Sequence, residues 1–266
     1  MLVIVLGLDL LLGRPSLGAA LGTVVFACLA LVIGAGLFHV FAPNAWTAER
    51  HSFSHPAADA TSATITLACE RCAITIEGAA SAEQLIEGEV TVRRDERLDQ
   101  TSSLDALDGN ATFSLTSEGR FPFGFATSRE SLPWEVRLDP ELPLSIRVAT
   151  AGTLELDLRP FLASAIDVTA RELPCALWLP DRVDSTTYLS GDDIAIRVPD
   201  GVGVRIHGAT DIQITTSGDF VQREAGLESA DYDRSAVRAD ILVRPGTGTI
   251  TVKPAVSDDQ PERQSI

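Results

Sequence analysis

Leu144-Ser-Ile-Arg-Val148, then Ala151-Gly152, then Leu154-Glu-Leu-Asp-Leu158 is the stretch that decides the fold. Both flanks alternate apolar and polar residues with period two. Successive side chains of a strand point to opposite faces, so this alternation marks strands with one buried side. The Ala-Gly step between them is a turn. The unit recurs along the chain. Ile166–Thr169, Glu172-Leu-Pro174 and Ala176–Leu179 form the next copy. Thr187–Leu189, Gly191-Asp192-Asp193 and Ile194–Val198 form a third, and Ala239–Val243, Pro245–Gly248 and Thr249–Val252 a last one. Upstream, Ala63–Leu67, Cys69–Cys72 and Ala73–Ile76 have the same shape. No comparable 3.6-residue apolar pattern occurs after residue 41. The spacing predicts an all-β repeat domain over residues 63–254, either a β-solenoid or a two-sheet sandwich, in which each unit covers its neighbour's apolar edge.

Ahead of this domain, Leu17–Phe41 contains no Asp, Glu, Lys or Arg. A bilayer core of about 30 Å needs about 20 apolar residues as helix, so this run is long enough to span it. A cleaved signal peptide would be shorter and would end at small residues, unlike Phe38-His-Val-Phe41. Cys28 does not suit a lipid anchor, because the residues after it stay apolar. Met1–Gly13 is apolar apart from Asp9 and too short to cross as a helix. Arg14 on the cytoplasmic side places Ala42 onward outside the membrane. The predicted organisation is a membrane anchor at 1–43, with one span at 17–41 and a short apolar segment at 1–13. A linker at 44–62, rich in Ala, Ser, Pro, His and Thr, leads to the extracytoplasmic β-domain at 63–254. Residues 255–266 are a polar, disordered tail.

The formal net charge is −16. A phosphate backbone is held by Lys and Arg, so nucleic acid is excluded as a partner. The chain has no nucleophile elbow, phosphate-binding loop or dinucleotide fingerprint. We therefore expect no enzyme activity, cofactor, metal or small-molecule substrate. Cys69-Glu-Arg-Cys72 offers two thiols at a spacing that suits a redox pair, half of a zinc site or a small disulfide. The residues after it alternate like a strand, whereas a thioredoxin-type site opens a helix. No second Cys pair or His pair completes a zinc site. An oxidising compartment favours a turn-closing disulfide or two quiet buried thiols. Phe121, Phe123 and Phe125, with Trp134 nearby, form either a partner-binding patch or a plug for one end of the repeat stack. His51 and His55 are four apart, but Pro56 argues against the helix that would align them on a metal. Asp192-Asp193, Asp181 with Asp184, and Asp231 with Asp233 could offer oxygen ligands to calcium, but none sits in a recognised calcium loop, and the favoured reading is solvated turn residues.

The copies Thr153-Leu-Glu-Leu-Asp-Leu158, Ala176-Leu-Trp-Leu-Pro180 and Ile194-Ala-Ile-Arg-Val-Pro199, followed by Asp200-Gly-Val-Gly-Val-Arg-Ile206, resemble the toast-rack proteins of bacterial envelopes. That group includes the LiaF-type regulators of cell-wall stress signalling and many chains labelled as adhesin candidates. Leu6-Gly-Leu-Asp-Leu-Leu-Leu-Gly13 followed by Leu17–Phe41 is similar to the small membrane module that precedes this fold, with a shorter first helix. The resemblance covers most of the chain. It implies an extracytoplasmic β-repeat domain tethered near a membrane kinase, a transporter or a second copy of itself. The first functional expectation is a membrane-anchored regulatory or interaction partner in envelope-stress sensing. The alternative is a surface adhesin or wall-binding scaffold, and the third is a thiol redox role at Cys69 and Cys72.

Overall fold

The computed structural model describes residues 48–94, 96–119, 131–208, 212–223 and 226–255. All of them belong to one compact unit that begins at Ala48. In chain order the strands are β1 (Ala48–Pro56), β2 (Ser62–Cys69), β3 (Cys72–Ala79), β4 (Gln84–Arg93), β5 (Glu96–Leu104), β6 (Asn110–Gly119), β7 (Leu132–Leu138), β8 (Pro143–Thr150), β9 (Leu154–Asp157) and β10 (Leu162–Ala170). They continue as β11 (Cys175–Trp178), β12 (Ser185–Gly191), β13 (Asp193–Val198), β14 (Val202–His207), β15 (Gln213–Thr216), β16 (Phe220–Arg223), β17 (Gly226–Ser229), β18 (Val237–Val243) and β19 (Thr249–Pro254). One 3-10 turn, Tyr232–Arg234, is the only helical element among the described residues. No helix among them is long and apolar enough to cross a membrane. The predicted span at 17–41 and the tail beyond residue 255 lie outside the described residues.

The strands form two sheets. One is ordered β1-β4-β7-β3-β9-β11-β13-β19-β15, the other β16-β17-β14-β18-β12-β10-β8-β2-β6-β5. Strands that follow one another across a turn alternate between the sheets: β8 then β9, β10 then β11, β12 then β13. Seven such pairs stack in parallel, and both sheets place them in the same spatial order. That order is not the order of the chain. The pair β2–β3 lies between β6–β7 and β8–β9, and β18–β19 lies between β12–β13 and β14–β15. The first and last pairs of the chain are therefore covered on both sides. Antiparallel strands finish the ends, with β4 and β5 beside β7 and β6, and β17 beside β14.

Alternation in the sequence becomes two continuous apolar rows. In the nine-stranded sheet Trp134, Ile74, Leu154, Cys175, Ile194, Ile250 and Ile214 lie in register. In the ten-stranded sheet the row is Phe113, Ile65, Ile146, Ile166, Thr187, Ile241 and Ile206. Both rows feed one hydrophobic core. Burial of apolar area at about 25 cal/mol per Å² makes this the main stabilising element.

Thr187 is the exception in its row. It is fully buried, and its hydroxyl has no hydrogen-bond partner. An unsatisfied buried hydroxyl costs about 1–3 kcal/mol. Thr187→Val keeps the branched shape and removes the orphan group, so we expect it to raise stability by about 1 kcal/mol. Urea denaturation checks this, and a lowered midpoint would contradict it.

Residues 44–62, expected to be a linker, are strand from Ala48 to Pro56. The sequence hides this because Phe53 is the one large apolar residue among charges, serines and histidines. What holds β1 is its antiparallel ladder to β4, the packing of Phe53 and His55 on Phe113, and the ion pairs of Arg50 with Glu89 and Glu49 with Arg94. Phe53 lies opposite Gly88 and stacks on Phe113, with ring centroids 5.7 Å apart. A Cβ on Gly88 would come 2.2 Å from Glu135 O and 3.0 Å from the Phe53 ring, so glycine makes room for this packing. Charged residues and Pro56 on an edge strand discourage further strand addition.

Candidate functional site

Cys69 ends β2 and Cys72 begins β3, and the two are joined as a disulfide across the Glu70-Arg71 turn, with Cα atoms 6.0 Å apart. Both are buried. Thr150 of the neighbouring pair ties this turn to its own. Its hydroxyl donates to Cys72 O at 3.0 Å and accepts from Gly152 N–H at 2.8 Å. It also lies 3.4 Å from Cys69 Sγ. The bridge is packed between two neighbouring turns. Cys175 is separate, buried in the core row between Leu154 and Ile194. Burial, with a smaller contribution from Asp193, pushes its thiol pKa up to about 12. The thiolate is the reactive form, so we expect iodoacetamide to leave Cys175 unmodified in the native protein and to label it once urea unfolds the chain. Peptide mass spectrometry reads the difference, and labelling in the native state would contradict it.

Trp134, expected in an aromatic patch or plug, is 1 % exposed and its indole N–H donates to Thr91 O at 3.2 Å. It is a core residue of the outermost parallel pair at the β6–β7 end, not part of a surface patch. Phe121, Phe123 and Phe125 lie outside the described residues. The aromatic that sequence reasoning missed at this end is Phe53.

His51 and His55 sit on β1, where His55 packs on Phe113 with ring centroids 5.9 Å apart. Among the described residues no group of three His, Cys, Asp or Glu side chains is placed to hold a metal ion. Two of the turn carboxylates have backbone partners: Asp192 accepts from Glu172 N–H and Asp184 from Arg238 N–H.

The remaining candidates are the outer faces of the sheets. On the nine-stranded sheet one half is acidic. Glu89 faces Glu135 across the ladder, and Glu155 adjoins Thr75 in the same row. Burial, then Glu77, then Asp157 raise the Glu155 pKa above the usual carboxylate range. Like charges directly opposite one another are destabilising, and the ion pairs of Arg50 with Glu89 and Arg137 with Glu87 offset part of the repulsion.

The ten-stranded sheet has a different character. One outer row reads Ser114, Thr66, Arg147, Asp167, Tyr188, Leu242 and His207. At its centre, Arg244 donates to Asp167 Oδ2 at 2.9 Å, and Arg147 lies 3.6 Å from the same oxygen. The Arg244 guanidinium sits 5.7 Å from the centroid of the Tyr188 ring, which is 40 % exposed. Towards β14 a second cluster is closed on itself. Tyr232 O–H donates to Asp240 at 2.9 Å, and Arg205 covers the Tyr232 ring at 4.0 Å while donating to Glu228. Burial of Tyr232, then its bond to Asp240, raises its pKa above the ordinary tyrosine value. Its ring is buried, so this cluster serves packing. Tyr188 with its two arginines is the cluster open to solvent.

The fold has a solved counterpart. A protein of Clostridium sporogenes described as a candidate for cell adhesion superposes with a TM-score of 0.66 at 13% identity, covering 78% of this chain and all of that one. At that identity the likeness is one of fold, and no residue role is carried across. A candidate adhesin of Bacteroides fragilis also matches, with a TM-score of 0.24 at 10% identity over 79% of this chain and 98% of its own, too remote to carry an argument. No family model matches the chain, and no curated protein matches it by sequence.

Proposed function

We propose that the chain is a non-enzymatic adhesive module of the cell envelope, held by residues 17–41 in the membrane and displaying its two-sheet domain outside. The observation that carries the reading is the open Tyr188 cluster on the outer face of the ten-stranded sheet. It supplies an aromatic surface and charged hydrogen-bonding groups, but no buried nucleophile or acid–base pair. Supporting it are the uncharged Leu17–Phe41 stretch, long enough to span a bilayer, and the shared fold with a protein described as a candidate for cell adhesion. A Cys69–Cys72 bridge also suits an oxidising exterior. In this reading the alternating strand pairs are rungs of a toast-rack type solenoid, and function resides on its faces.

Sedimentation with purified insoluble wall polymer tests the proposal. The full-length protein in neutral detergent is expected to co-sediment in a saturable manner; recovery wholly in the supernatant would overturn it.

The envelope-stress regulator is the second reading, favoured by the same uncharged stretch in front of a β-repeat domain. Crosslinking in the native membrane separates the two. Capture of one sensor kinase or transporter, lost when residues 17–41 are exchanged for an unrelated span, would favour regulation.

A further inference from the structure

We propose that the patch centred on Tyr188 is a subsite for one acidic sugar of an extended polysaccharide, its carboxylate or phosphate held by Arg147 and Arg244. The inference rests on the adhesive reading and names the chemistry it requires. Tyr188 is the one large aromatic side chain that is exposed among the described residues. Two guanidinium groups converge on the single carboxylate of Asp167, so the patch carries one excess positive charge. The chain as a whole carries −16. Local attraction against general repulsion selects an anionic group at this point and disfavours a broadly anionic surface. Arg147 is 68 % exposed, so its planar fork can meet a carboxylate or phosphate in bidentate geometry.

The position on the sheet also narrows the ligand. β12, which carries Tyr188, is paired on both sides, by β10 and by β18. Its backbone groups are committed to those ladders, so a peptide cannot add to the sheet here as a further strand. Recognition must come from side chains. A pyranose ring offers a face of C–H bonds to an aromatic ring, and its hydroxyls and acidic substituent suit Asp167 and the arginines. The neighbouring outward positions on β10 and β12, Thr169, Thr186 and Ser190, carry short side chains that leave the Tyr188 ring standing clear of them.

The test measures binding of the full-length chain in neutral detergent to polygalacturonate, to phosphomannan and to uncharged dextran. We expect binding to at least one acidic polymer and binding to dextran weaker by about tenfold or more. Tyr188→Ala and Arg147→Gln are each expected to weaken acidic-polymer binding by about tenfold while leaving the urea midpoint unchanged. Preference for polygalacturonate or for phosphomannan tells which acidic group is taken. Equal binding to dextran, or variants that bind as the parent does, would overturn the proposal. If the parent co-sediments with wall polymer and Tyr188→Ala does so equally, the patch fails as the subsite, and wall binding belongs to another part of the chain. If the parent binds no wall polymer, the adhesive reading itself has failed.

Discussion

Trp134→Ala is expected to destabilise the domain by about 3–5 kcal/mol. The indole fills the end of the core row, in register with Ile74, and is sealed by β4 through the Trp134–Val90 pairing. Deleting it removes the transfer energy of the largest buried side chain and leaves a cavity that the flanking ladders cannot close, because their backbone hydrogen bonds fix the strand spacing. It also strips Thr91 O of the indole donor. Urea denaturation of the full-length protein, with the denaturant slope compared for both forms, gives the loss. A decrease below about 1 kcal/mol would show that this end of the stack is not packed as described.

Gly152→Ala is expected to cost about 3 kcal/mol for the opposite reason, overpacking. An added Cβ at this turn would stand 1.9 Å from Cys72 O, a backbone atom of the adjacent pair that cannot swing aside. Ala151 N–H donates to Glu70 O at 3.1 Å in the same turn, so relief by separation would break the hydrogen bond that stacks the two turns. The device recurs. Gly191 would place its Cβ 2.2 Å from Ala170 O, and Gly248 would place its own 2.4 Å from Asp192 O. These glycines let successive turns approach along the stack. Gly201 provides the contrast, with a φ of +80° and no atom within 4 Å of its Cβ position. Alanine there meets only backbone strain, about 1–2 kcal/mol. Parallel denaturation curves for the two variants check the ordering, and a Gly201→Ala more damaging than Gly152→Ala would contradict the close-approach argument.

Much of the fold was legible because the alternation is strict. Leu154-Glu-Leu-Asp-Leu158 and Ile194–Val198 lie where period two puts them, each with its apolar positions in the core. Choosing between two sheets and other all-β arrangements needed the pairing itself. The spatial order of the pairs was not legible, for a physical reason. Each pair presents the same kind of inward row, Ile74 beside Leu154 or Ile194 beside Ile250, so the side chains alone allow one pair to stack on almost any other. The excursion through β4 and β5 carries the chain outward and brings β6–β7 back on the far side of β2–β3. β1 was read as linker because an edge strand with Phe53 as its one large apolar residue has almost no hydrophobic signature.

The candidate site was not singled out in the sequence, where Thr187–Leu189 was read only as a strand. Tyr188 falls at an outward position between Thr187 and Leu189, as alternation requires. Its companions Arg147, Asp167 and Arg244 come from three other strand copies, and only the parallel register brings them into one cluster.

Adhesion by living cells is the most direct test of the adhesive function. We would compare the retention, under flow, of cells carrying the gene with that of cells from which it has been deleted, on a surface coated with acidic wall polysaccharide. Greater retention of the gene-bearing cells, abolished by soluble polymer added to the flow, is the predicted result. Equal retention of the two strains would contradict the adhesive function proposed for this fold.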